Sequence, residues 1–150
     1  MKNIKKKYET PPTRWNKERI ETEKIILKNF GLKKKQEIYR AQAILRKYRR
    51  MARELTAKSD KVKEKLIIGK LIKLGILNEG ATLDDILSLT VENIFDRRLQ
   101  TMLLKKGLAN TAKHARQLIV HGHVSIDGRK IVYPSYLVLR EEEEKIQKVN

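Results

Sequence analysis

The side chains best suited by type and spacing to do chemistry lie between Thr111 and His121. At about 100° per residue, the rotation implied by roughly 3.6 residues per turn, Ala112, Ala115, Leu118 and Ile119 share one helical face. Lys113, His114, Arg116, Gln117 and His121 fill the rest, with Val120 the one apolar residue among them. Thr111 is suited to cap this helix, and the free N–H groups of a first turn attract phosphate. The chemistry on offer is hydrogen bonding to a polyanion. For one helix alone a merely solvated face explains as much, so the neighbouring segments have to decide.

The preceding segment repeats the design. Phe95, Leu99, Met102 and Leu103 make an apolar stripe, with Arg98, Thr101 and Lys105 in line beside it. Arg97 widens the charged side, and Lys106 extends it where the last turn frays. Two such helices, apolar inside and cationic outside, predict a basic groove that follows a backbone shape. That suits RNA, because proteins reach the shape, 2′-hydroxyls and junctions of an A-form duplex more readily than the edges in its deep groove.

Rival chemistries fare worse. His121-Gly122-His123 has the look of a metal pair, but the chain has no cysteine and no obvious third or fourth ligand, so no metal or cofactor is expected. His123, Ser125 and Asp127 would stand in a row on a strand, about 6–7 Å apart, without converging on a shared proton. Asp84 and Asp85 fit a helix N-terminus better than an acid/base pair. Tyr8 and Trp15 offer faces for bases, although packing in an apolar stripe is the expected role of Trp15. The run Glu141 to Glu144 is expected to be solvated and without function. No enzyme is expected.

The charge has its own geography. The 150 residues carry 35 Lys and Arg against 18 Asp and Glu, a formal net charge of +17. Residues 1–53 hold 18 basic and 5 acidic side chains, residues 54–93 hold 6 and 7, and residues 94–150 hold 11 and 6. Two basic blocks thus flank a neutral one, and their self-repulsion favours a polyanionic partner whose counterions they release. Nucleic acid is favoured over a membrane surface, since only two Phe and one Trp are available for an apolar anchoring face. The basic start leads into Tyr8-Glu9-Thr10-Pro11-Pro12, not into the apolar stretch of a secretory signal.

Several elements must position these groups. Residues 1–13 read as an extended arm whose Lys5, Lys6 and Lys7 neutralise phosphate, with Pro11-Pro12 delaying any helix. Trp15, Ile20, Ile26, Leu27 and Phe30 mark a first helix ending at Gly31. Ile38, Ala41, Leu45, Tyr48, Ala52 and Leu55 mark a second, over about 36–55, with Arg40, Arg46, Lys47, Arg50 and Arg53 on its other faces and Arg49 at the edge; Arg46, Arg49, Arg50 and Arg53 are expected to contact RNA. A third, from Ser59 or Asp60 to Gly75, reads as packing material. Thr82 and Asp85 resemble a capping box. Beyond Thr90 come a helix to about Lys106, the helix from Thr111, and a β pattern. In it, Val124-Ser125-Ile126 turns at Asp127-Gly128 into Ile131-Val132, and Tyr136 to Leu139 offers another strand.

Arg97-Arg98-Leu99-Gln100-Thr101, Lys105-Lys106-Gly107-Leu108-Ala109 and above all Ala115 through Val124 resemble the RNA-binding module of the ribosomal protein S-four family. Tyr8-Glu9-Thr10-Pro11, Tyr39 to Arg53 and Asp84 to Thr90 are similar to its archaeal and eukaryotic branch. Gln100 stands where many other module-bearing proteins have Asp, and the cysteine zinc site of some bacterial members is absent. The resemblance implies a primary rRNA-binding protein of the small subunit that nucleates assembly, lies near the side where mRNA enters and affects accuracy of decoding. It also implies RNA contact by Arg97, Arg98, Lys105, Lys106, Thr111, Lys113, His114, Arg116, Gln117, His121 and His123.

The expectation is therefore a mainly α protein with a small β-sheet: an arm (1–13), a helical domain (14–93), an αα-β RNA-binding module (94–140) and an acidic tail (141–150). Its expected partners are small-subunit rRNA, neighbouring small-subunit proteins and mRNA, with no membrane. A free-standing RNA chaperone or ribosome-rescue factor using the same module is the alternative.

Overall fold

The computed structural model describes residues 6–58 and 60–149. Two apolar clusters organise them. The first gathers around α2 (Lys35–Lys58), which buries Ile38, Ala41, Leu45, Ala52 and Leu55 along the expected stripe. Removing side chains such as Ile38 or Leu45 from water contributes roughly 1.5–3 kcal/mol each. α1 (Lys17–Asn29), α3 (Lys61–Lys73), α4 (Leu83–Ser88) and α5 (Val91–Asp96) cover that stripe, with Leu71, Ile86, Ile94 and Phe95 fully or almost fully buried. α4 and α5 are short because each starts at its own cap: Asp85 accepts from the Thr82 N–H at 2.7 Å and Asn93 from the Thr90 N–H at 2.8 Å.

The second cluster joins α6 (Leu99–Lys105), α7 (Ala112–Val120) and a three-stranded antiparallel sheet ordered β2-β1-β3, with β1 Val124–Ile126, β2 Arg129–Lys130 and β3 Ile146–Lys148. Asp127 and Gly128 both take positive φ, 51° and 76°, as the two-residue turn between β1 and β2 requires. The first cluster runs on through Phe95, and the second begins at Leu99.

Four expectations are corrected. The single helix to Lys106 is two, because Arg98 is extended (φ −73°, ψ 141°) between α5 and α6. Tyr136 to Leu139 forms only a bridge, Arg98 with Leu137. Its backbone bonds go to the freed groups of that break, Leu99 N–H to the Tyr136 carbonyl at 2.8 Å and Val138 N–H to the Arg97 carbonyl at 2.9 Å. The third strand comes from the tail, which pairs Ile146 with Ile126. The acidic run before it is not simply solvated: Glu142 accepts from the Tyr136 hydroxyl at 2.9 Å and Glu143 from Arg97 at 2.9 Å. Trp15 precedes α1 and is 88% exposed, so it is not part of the stripe.

Candidate nucleic-acid interface

α7 carries the donor-rich face of the module. The Thr111 hydroxyl accepts from the His114 N–H at 3.1 Å, while Ala115 and Ile119 seal the helix against the core. That leaves Lys113, Gln117, His121 and His123 exposed and His114 half-buried, with the His121 and His123 rings stacked 6.4 Å apart. Lys105 and Lys106 at the end of α6 are exposed too, Lys105 reaching Asp96 at 3.1 Å. In the row His123, Ser125 and Asp127, Ser125 is buried in β1 while the other two are exposed.

A second cationic surface follows α2. Arg46, Lys47, Arg50 and Arg53 are exposed, and residues 6–9 lie beside the first three. Tyr8 meets Tyr39 at 6.2 Å, Lys6 and Arg40 stand 5.6 and 5.8 Å from the Tyr8 ring centre, and Glu9 pairs with Arg46 at 2.6 Å. Lys6, Lys7, Arg46, Lys47 and Arg50 thereby line an open cleft of about 410 Å³. Arg49 points elsewhere, donating to the Leu89 carbonyl and tying α2 to the turn before α5. Lys5 lies outside the described residues.

Three residues expected on the outer face are turned inward. Arg98 is 5% exposed, because the extended break before α6 aims its guanidinium at α2, where Glu37 accepts at 2.6 Å. Arg97 donates to the Val138 carbonyl at 3.1 Å as well as to Glu143. Thr101 is buried and donates to the Phe95 carbonyl at 2.7 Å. Arg98 ties α6 to α2, Arg97 ties the start of the module to its C-terminal segment, and all three spend their donors on partners inside the protein.

Glu37 is the centre of that junction. Besides Arg98 it accepts from Arg116 on α7 at 3.1 and 3.2 Å, and from the Lys33 N–H at 3.1 Å. Burial alone would raise its pKa, but the hydrogen bonds and charges of Arg98 and Arg116 outweigh burial and hold it at about 2. Arg116 keeps a quarter of its side chain exposed, and shares with Lys33, Lys34 and Arg40 a cleft of about 360 Å³ between the two parts. The residue signals were there to be read: Glu37 is the only acid among eleven cations between Lys24 and Arg53.

Gln100 is a second pin that residue types alone did not disclose. Buried to 1% exposure, its amide nitrogen donates among the carbonyls of Phe30, Gly31 and Ala112, at 3.0, 3.0 and 2.8 Å. Gly31 sits at φ +56°, and a Cβ there would lie 2.7 Å from the Ala112 Cβ. Gly31→Ala is expected to cost roughly 1–2 kcal/mol from the left-handed backbone alone, with the contact adding to it. Urea denaturation checks this, and an unchanged midpoint would contradict it.

Residues 97–144 match the S4 domain family. Over 149 residues the chain is 50% identical to the small ribosomal subunit protein uS4 of Methanothermobacter thermautotrophicus, covering 97% of this chain and 86% of that one. It is 49% identical to the uS4 protein of Saccharolobus islandicus, covering 97% and 82%.

Proposed function

Since the chain belongs to the uS4 family of small ribosomal subunit proteins, we propose that it is a structural, non-enzymatic constituent of the small subunit that binds rRNA through two exposed cationic faces. One face is Lys105, Lys106, Thr111, Lys113, His114, Gln117, His121 and His123, with Arg116 at its margin. The other is Lys6, Lys7, Arg46, Arg50 and Arg53 along the arm and α2.

The observation that carries this reading is the sorting of the cations. Arg97 and Arg98 are consumed by internal carboxylates, whereas Lys6, Lys7, Arg53, Lys106 and Lys113 make no ion pair among the described residues and stand exposed. Exposed cations without an internal partner also stand on α3 and elsewhere, but on these two faces they sit beside polar donors or line a cleft, where phosphate stabilises them. Likeness to uS4 over nearly the whole chain, arm and helical domain included, favours a ribosomal constituent over a free-standing factor built on the module alone. The finer reading is a primary binder that nucleates assembly, influences decoding accuracy and lies close to mRNA where it enters, in the small subunit of the cytoplasmic ribosome.

Binding of naked small-subunit rRNA tests it. Lys106→Ala and Lys113→Ala are each expected to reduce the salt slope of binding by about 1, with Lys61→Ala on α3 leaving it unchanged. Equal slopes for all three variants would contradict the assignment.

A further inference from the structure

α3 presents to solvent a surface that none of the described residues covers. Around this helix Leu66 and Gly69 fall within about 40° of Val62, while Leu71, fully buried, lies opposite. Val62 and Leu66 are 71% and 68% exposed, the most exposed aliphatic side chains among the large hydrophobic residues of the described chain. Gly69 has helical backbone, and a Cβ added to it would meet nothing within 4 Å. Glycine inside a helix is unfavourable relative to alanine, and no contact among the described residues offsets that cost here. It does allow another backbone to approach closely. Lys61, Lys65 and Lys70 flank the stripe and Lys73, about 20° from Val62, ends it at the last turn; all four are exposed and in no ion pair among the described residues, and the one acid of α3, Glu64, lies on the inner side.

We infer that this face docks a helix of a neighbouring small-subunit protein, with an apolar contact line and Asp or Glu along its rim. The inference rests on the ribosomal reading above and names a surface and a partner chemistry that reading leaves open. Val62 and Leu66 offer no donor to a 2′-hydroxyl or phosphate, which argues against RNA at the centre of the stripe. A second copy of this chain would set lysine rim against lysine rim. An apolar helix with an acidic rim matches both the stripe and its border, and Gly69 sets how closely the two axes approach.

The test places a benzoylphenylalanine photocrosslinker at position 66 in full-length protein, reconstitutes small subunits from rRNA and total small-subunit proteins, and identifies the attached species by mass spectrometry. A second probe, at position 121, reports rRNA contact independently. The expected product at position 66 is a peptide of another subunit protein, with acidic residues beside the attachment point. Gly69→Ala is expected to raise the thermal midpoint of the free chain by about 2–3 °C, yet to reduce the position-66 product several-fold. Attachment at 66 to rRNA, to a second copy of the chain or to nothing, while the probe at 121 still marks rRNA, overturns the inference. So does a Gly69→Ala product of unchanged yield. Failure of the chain to enter subunits at all would instead bring down the ribosomal reading on which the inference stands.

Discussion

Glu37→Ala is expected to lower the unfolding free energy by roughly 3 kcal/mol, because it strands Arg98, 5% exposed, and the half-buried Arg116 without a counter-charge. Removing one member of a buried ion group costs more than the group contributes over an apolar replacement, since the remaining charges stay desolvated. Glu54→Ala is the control: its pairing with Arg50, at 3.5 Å, leaves both side chains more than half exposed, and its loss is expected to stay below about 0.5 kcal/mol. The acid limb follows from the same group. With a folded pKa of about 2 against an ordinary 4.5, the contribution of Glu37 is complete above pH 4.5 and lost as pH falls towards 2. The native protein and Glu37→Ala should therefore converge in stability across that window. Parallel pH profiles, or a loss no greater than for Glu54→Ala, would contradict the clasp.

Affinity for naked small-subunit rRNA is expected to drop by roughly 10³–10⁵ between about 50 and 200 mM salt, the range for about 6–10 phosphate contacts. The cations support that range. Lys6, Lys7, Lys47, Arg53, Lys106 and Lys113 are exposed without an ion pair among the described residues. Arg46, Arg50, Lys105 and Arg116 are accessible but each must leave a carboxylate to engage RNA. A slope near the lower end means that these four keep their internal partners; one near the upper end means that they exchange them. Filter binding across a salt series reads the slope, and a drop smaller than tenfold would count against phosphate as the main contact.

The stripes of α2 and α7 were legible in the sequence because a single period of about 3.6 residues dictates which side chains face the core. The Asp127-Gly128 turn was legible because few residue types accept positive φ. Periodicity could not show the break at Arg98: an apolar stripe through Phe95, Leu99 and Met102 fits one helix as well as two whose ends pack against the same neighbours. For the same reason Arg98 and Thr101 read as surface residues. Their side chains turn inward because of partners distant in sequence, Glu37 for one and the Phe95 carbonyl at the break for the other. β3 was hidden because Ile146 is the only buried residue in a three-residue strand, too short for an alternation to be seen. Lys113, Gln117, His121 and His123 needed no distant partner, and the surface they form is the one the helix period implies.

The most direct test of the cationic faces is photocrosslinking of the full-length protein in extract, followed by sequencing of the attached RNA and mapping of the attached peptides. The account predicts small-subunit rRNA joined through peptides spanning Lys105 to His123, and through the arm with α2. RNA recovered only through other surfaces, or none recovered while Lys113 and His121 are covered by protein, would contradict it.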